Sequence, residues 1–226
     1  MEKDKSDSNK SSETLEDDIK NAVETGRDVK ETVQRITLKA LTEGKLDTEA
    51  VRQVANDVVK GAGLGAASHG SEAREVLDKA VSGLDEALSS AAEASKLALE
   101  EAAGHLKAFG KQDLKQATDD LLALEEMYLD TLKHVAKGSD EVISSTLNDL
   151  VQHAHRSGTA VGRRSSEIVE MLNRELGQSV SETVAAGTDS ALNVASQLSH
   201  AAAGFLDGIA KTLDSKLKER NSSNKE

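Results

Sequence analysis

His153 and His155, followed by Arg156, Arg163 and Arg164, form the densest group of chemistry-bearing side chains in the sequence. A metal site or an acid–base reaction would need at least two of them to converge. On a helix, residues two apart point to different faces, so the two histidines do not make a ligand pair. No acidic residue lies between Asp149 and Glu167 to complete a set, and no HExxH spacing occurs. Serines, aspartates and glutamates abound, yet none sits in the context of a nucleophile elbow. Gly61, Gly63, Gly65 and Gly70 fall close together, but they lack the preceding strand and following lysine of a phosphate-binding loop. That Gly/Ala/Ser stretch reads as a linker. No catalytic, cofactor-binding or metal-ligating residue is therefore assigned, no cofactor is expected, and the chain is read as a non-enzyme.

The three arginines leave two readings. They pair with an acidic helix facing them, Arg156 beside Asp119 and Asp120 and Arg163 beside Asp113, or they form an anion patch for lipid headgroups or an acidic partner. A second distinctive feature is the segment from Ser190 to Leu206, which contains no Asp, Glu, Lys or Arg. Its small and apolar residues include Ala191, Ala195, Leu198 and Ala202, and Gly204 and Gly208 follow with the GxxxG spacing that lets helices approach closely. Asn193, Gln197 and His200 disfavour membrane spanning. The segment reads as a helix buried by close small-residue packing, as a self-association surface, or as a helix adsorbed on a membrane or granule.

The elements that must carry these residues are legible from composition. The 226 residues include no proline, cysteine or tryptophan, and only Phe109, Tyr128 and Phe205 are aromatic. Without proline, long helices meet no interruption. Without cysteine there are no disulfides or thiolate sites. Scarce aromatics argue against a deep ligand pocket, whereas helix-to-helix seams need only Ala, Leu and Val. A net charge of −12 disfavours nucleic acid as a partner. The start of the chain has no apolar signal-like region, and no stretch approaches the ~20 apolar residues of a membrane span. A cytoplasmic location is expected.

The pattern predicts an all-α fold without sheet. Residues 1–12 and 220–226 read as disordered tails, and 13–60 as a helical pair. The first helix, from Glu13 to Glu43, carries Leu15, Ile19, Ala22, Gly26, Val29, Val33, Ile36 and Ala40 at heptad spacing, with Gly44 as its C-cap. The second starts at an Asp47 N-cap, with Leu46 and Val51 as a hydrophobic staple. A Gly-rich linker covers 61–70. Residues 71–219 then form a long antiparallel, coiled-coil-like helical hairpin turning at Gly138, where Gly138-Ser139-Asp140 is a stop and restart. Its repeats mix eleven-residue spacing (Leu77, Leu88, Leu99; Leu176, Gly187, Leu198, Ile209) with heptads (Leu114, Leu121, Tyr128, Val135). Folding about Gly138 places Tyr128 opposite Leu150, Phe109 opposite Ile168 and Leu84 opposite Val194, in arms on the order of 90–100 Å long. Breaks at Gly110 and Gly177 would shorten this into a four- to six-helix bundle.

Three stretches carry a family resemblance: Gly83 to Gly104, Asp113 to Leu132, and His153 to Gly162. Over residues 15–175 the chain resembles a bacterial helical family known only as a domain of unknown function. That resemblance implies a bacterial, cytoplasmic helical protein and supplies no site residues. In texture the chain is also similar to phasins, which coat polyester granules, and to late-embryogenesis-abundant proteins. The expected function is a structural or interaction protein that associates with itself or another helical protein through amphipathic surfaces. A peripheral protein of an anionic membrane or granule surface is the alternative, and a stress-protective helical protein the second alternative.

Overall fold

A computed structural model describes residues 14–43, 48–104 and 111–183. Among the described residues all regular structure is helical. Helix α1 covers 14–24, α2 Val29–Glu43, α3 Thr48–Ala67, α4 Ala73–Gly104, α5 Lys111–Gly138, α6 Glu141–Ser157 and α7 Ala160–Thr183. A 3-10 turn, Gly70–Glu72, joins α3 to α4.

The first expected helix is two. The chain breaks at residues 25–28, where Gly26 (φ 66°) and Asp28 (φ 43°) take left-handed backbone conformations. Gly26 is thus the pivot of a turn, not a seam position. Its amide donates to the Val23 carbonyl (3.0 Å), and the Thr25 hydroxyl donates to that of Ala22 (2.7 Å), which closes the last turn of α1. Ile19, Val23, Val29 and Val33 still reach the core. The Gly44 cap and the Leu46–Asp47 staple lie outside the described residues.

The stretch expected as a linker is largely the end of α3. Gly61 faces the backbone carbonyl of Glu16, and four residues further along both chains Gly65 faces that of Lys20. α1 and α3 therefore run parallel and nearly in backbone contact. A Cβ on Gly65 would stand 2.6 Å from the Lys20 oxygen and 2.8 Å from Val23 Cβ. These glycines are helical because close approach excludes a side chain, the use that small residues serve where helices cross tightly.

α4 buries Val76, Leu77, Ala80, Val81, Leu84, Ala87 and Leu88, a stripe broader than a two-helix seam requires. That width explains why the extended hairpin is not confirmed. α4 packs on α2, where Gly83 faces the Lys30 carbonyl and Lys30 Nζ lies 3.4 Å from Glu86. It also doubles back along α5: the Tyr128 hydroxyl donates to the Val81 carbonyl (3.4 Å), and Ala92 shares a cluster with Leu121. Ile168 and Leu172 join that cluster, so Ile168 meets these residues, while Phe109 and Val194 lie outside the described set. The Gly138–Asp140 turn is as expected. Asp140 caps α6 by accepting from Val142 N (3.0 Å) and Ile143 N (3.1 Å). α7 continues through Gly177, which the sequence offered as one place for a break, and Gly110 falls outside the described residues.

Candidate functional site

The basic patch spans the last turn of α6 and the first of α7. Arg163 Nη1 donates to the Ser157 and Gly158 carbonyls (3.5 and 3.4 Å), closing the C-terminus of α6. Arg164 pairs with Glu167 (3.0 Å) on its own helix and with Glu93 (3.5 Å) on α4. The Asp113 side chain, the partner expected for Arg163, lies outside the described residues. Arg156 is exposed and makes no ion pair with another described residue, Asp119 and Asp120 included. His153 and His155 are exposed beside it. The structure thus gives two of the three arginines a partner inside the bundle.

Between α6 and α7 lies an elbow that the sequence reading missed. Gly158 takes φ 72°, and Thr159, only 4 % exposed, starts α7. Its hydroxyl accepts from Gly162 N (2.9 Å), an N-cap contact. The other free amides of this helix start are met by side chains from distant helices. Asp85 on α4 accepts from Ala160 N (2.7 Å) and Val161 N (2.9 Å) through its two oxygens. Glu125 on α5 accepts from Thr159 N (3.2 Å) and from the Thr159 hydroxyl (2.8 Å). The Glu125 carboxylate occupies the space where a Cβ of residue 162 would stand, so a side chain there would displace Glu125 from Thr159.

Anionic groups are favoured at a helix N-terminus by the dipole and the free amides. Burial nevertheless pushes the Asp85 carboxyl above its ordinary range, and neighbouring Glu86 adds to this; the amides of Val161 and Ala160 and the Arg163 guanidinium oppose it. Burial also pushes the Tyr128 phenol well up, with the Asp85 and Asp78 charges contributing. The chemistry here is acceptance of backbone hydrogen bonds, and each carboxylate already serves it. Gly158-Thr159 was the one local signal, a stop residue followed by a cap residue. Nothing near Asp85 or Glu125 in the sequence marks them as caps of a helix begun at residue 160.

A cleft of about 500 Å³ opens between α3 and the α5–α6 turn. Leu64, Ala67, Val135 and Ile143 supply apolar walls, with Glu16, Lys60, His134 and Asp140 also lining it. Gly63 sits close under Ile143, where an added Cβ would be 3.2 Å from Cγ2. Leu64 is 53 % exposed, and Val142, beside Ile143, is 50 % exposed. Among the described residues no group of three or more His, Asp or Glu is placed to hold a metal ion, and no helix is long and apolar enough to cross a membrane. Ala191, Ala195, Leu198, Ala202, Gly204 and Gly208, the expected self-association residues, lie outside the described residues.

No curated protein and no solved structure matches the chain. A family model described as a family of unknown function (DUF6781) matches residues 5–215, nearly the whole chain, and the protein belongs to that family.

Proposed function

We propose that the protein is a non-enzymatic helical interaction protein that associates with itself. The observation that carries this reading is the use of its interior ionisable groups. Asp85 and Glu125, which stand where a reacting pair would be sought, hold a helix start, and Arg163 and Arg164 brace the same elbow. A group committed to several backbone hydrogen bonds is a poor general acid or base. Function then resides on surfaces, and the charge-free stretch from Ser190 to Leu206 is the part of the sequence least suited to remain in water alone.

A second reading, adsorption to an anionic membrane or granule surface, draws on the exposed Arg156 with His153 and His155 beside it. Sedimentation with circular dichroism, in buffer and then with anionic vesicles, separates the two. A folded oligomer without lipid supports self-association. A monomer that binds vesicles and loses that binding in Arg156→Ala supports the second reading and overturns the first.

A further inference from the structure

We infer that α7 is a latch: it leaves α4 and α5 as one unit at the Gly158–Thr159 elbow, while α6 and the helices before it stay folded.

Backbone bonding permits the separation. The ladder of α6 ends where Gly158 N donates to the Ala154 carbonyl (2.7 Å). The next five amides do not return to α6. Thr159 N goes to Glu125, Ala160 N and Val161 N go to Asp85, Gly162 N goes to the Thr159 hydroxyl, and Arg163 N goes to the Thr159 carbonyl. The Arg163 side chain reaches back to the Ser157 and Gly158 carbonyls, which lie at the pivot itself. α7 can therefore move without costing α6 a rung.

Packing divides at the same place. Ile143, Leu147 and Val151 of α6 belong to the large core cluster with Leu77, Leu84 and Leu132. From the first turn of α7, Val161 joins that cluster. Ile168, Val169 and Leu172 pack instead in a second cluster with Ala92 and Leu121. Half-buried Leu124 packs against both.

The contact that would open is also poorly satisfied. Ser165, only 1 % exposed, has a hydroxyl with no hydrogen-bond partner. Glu93 Oε2 is buried and accepts no hydrogen bond, although Arg164 Nε stands 3.5 Å away. The Asp85 carboxyl is desolvated at the same contact. Release of α7 returns all three groups to water, and this offsets part of the apolar burial lost. The buried polar residue of α6 differs: the Thr146 hydroxyl donates to the Val142 carbonyl (2.7 Å). Asp85 and Glu125, on helices that stay in place, act as the catch. Release uncovers apolar side chains on both sides, Ile168, Val169 and Leu172 on α7 and Ala92 and Leu121 on its seat.

Hydrogen exchange, followed amide by amide on the unmodified chain in urea below its unfolding range, tests the latch. The expected result is one shared opening for Ile168, Val169 and Leu172. It should be at least tenfold more frequent than that of Leu147 and Val151, with a smaller urea dependence. Thiol labelling then reads the seat, since the chain has no cysteine of its own. Val169→Cys and Leu121→Cys should react through the same opening, and Val151→Cys at least tenfold more slowly. Equal opening and equal urea dependence in α6 and α7 would make them one cooperative unit and overturn the latch. Exchange that quickens stepwise from Ile168 to Leu172 would be fraying from the far end, and it overturns the latch too. So does a Leu121→Cys thiol as protected as that of Val151→Cys.

Discussion

Two glycine-marked places in this molecule behave in opposite ways. Gly61 and Gly65 sit in a run that reads as a linker, and they are helical residues pressed against the backbone of α1. Gly158 sits inside a stretch that reads as continuous helix, and it is a true elbow. The difference lies in what stands across from each. At 61 and 65 the neighbour is a carbonyl of a parallel helix, which leaves no room for Cβ and every reason to keep the helix straight. At 158 the neighbours are acceptors from α4 and α5 that satisfy a new helix start, so ending one helix and beginning another costs little.

The comparison breaks most sharply at Gly61. Gly61→Val should drive α1 off α3 and cost about 3 kcal/mol, the upper range for overpacking, despite valine's better helix propensity. Urea unfolding measures it; a neutral or stabilising result would return 61–70 to linker status. At the elbow, Asp85→Ala leaves the Ala160 and Val161 amides without their acceptors and should cost about 2 kcal/mol. Hydrogen exchange should show faster opening at the start of α7 than at Leu147 on α6, and equal protection at both would mean that Asp85 does not hold the elbow.

A subtler effect is pH dependence. The Asp85 carboxyl titrates above its unfolded value, so its contribution is fully present below about pH 4 and is lost as pH rises through the folded value. The stability of the unmodified protein minus that of Asp85→Asn should therefore fall with rising pH from about 4 upward. A difference that grows with pH would show the amide bonds prevailing over burial. Smallest of all, Arg156→Ala should change stability by less than about 0.5 kcal/mol, as for exposed side chains without partners. A larger loss in thermal unfolding would place Arg156 with Arg163 and Arg164 in bracing the elbow.

Much of the helical layout was legible because its causes are local. Leu77 and Leu88, eleven apart, are both fully buried, and Leu121, Tyr128 and Val135 keep the heptad face. Asp140 caps α6 through amides two and three residues away, so the signal lies in adjacent letters. The arrangement of those helices was not legible. A stripe on α4 wide enough for several neighbours resembles, in one dimension, a seam wide enough for one. The elbow was hidden for the same reason, since its acceptors come from residues 85 and 125.

Gly162 and Glu125 compete for one volume. They are accordingly a single choice written at two distant positions. In other members of the family, a residue with a side chain at the position of Gly162 should accompany a shorter residue at that of Glu125. The start of α7 would then need its acceptor from elsewhere, and paired variation of these two columns would trace the inheritance of the elbow.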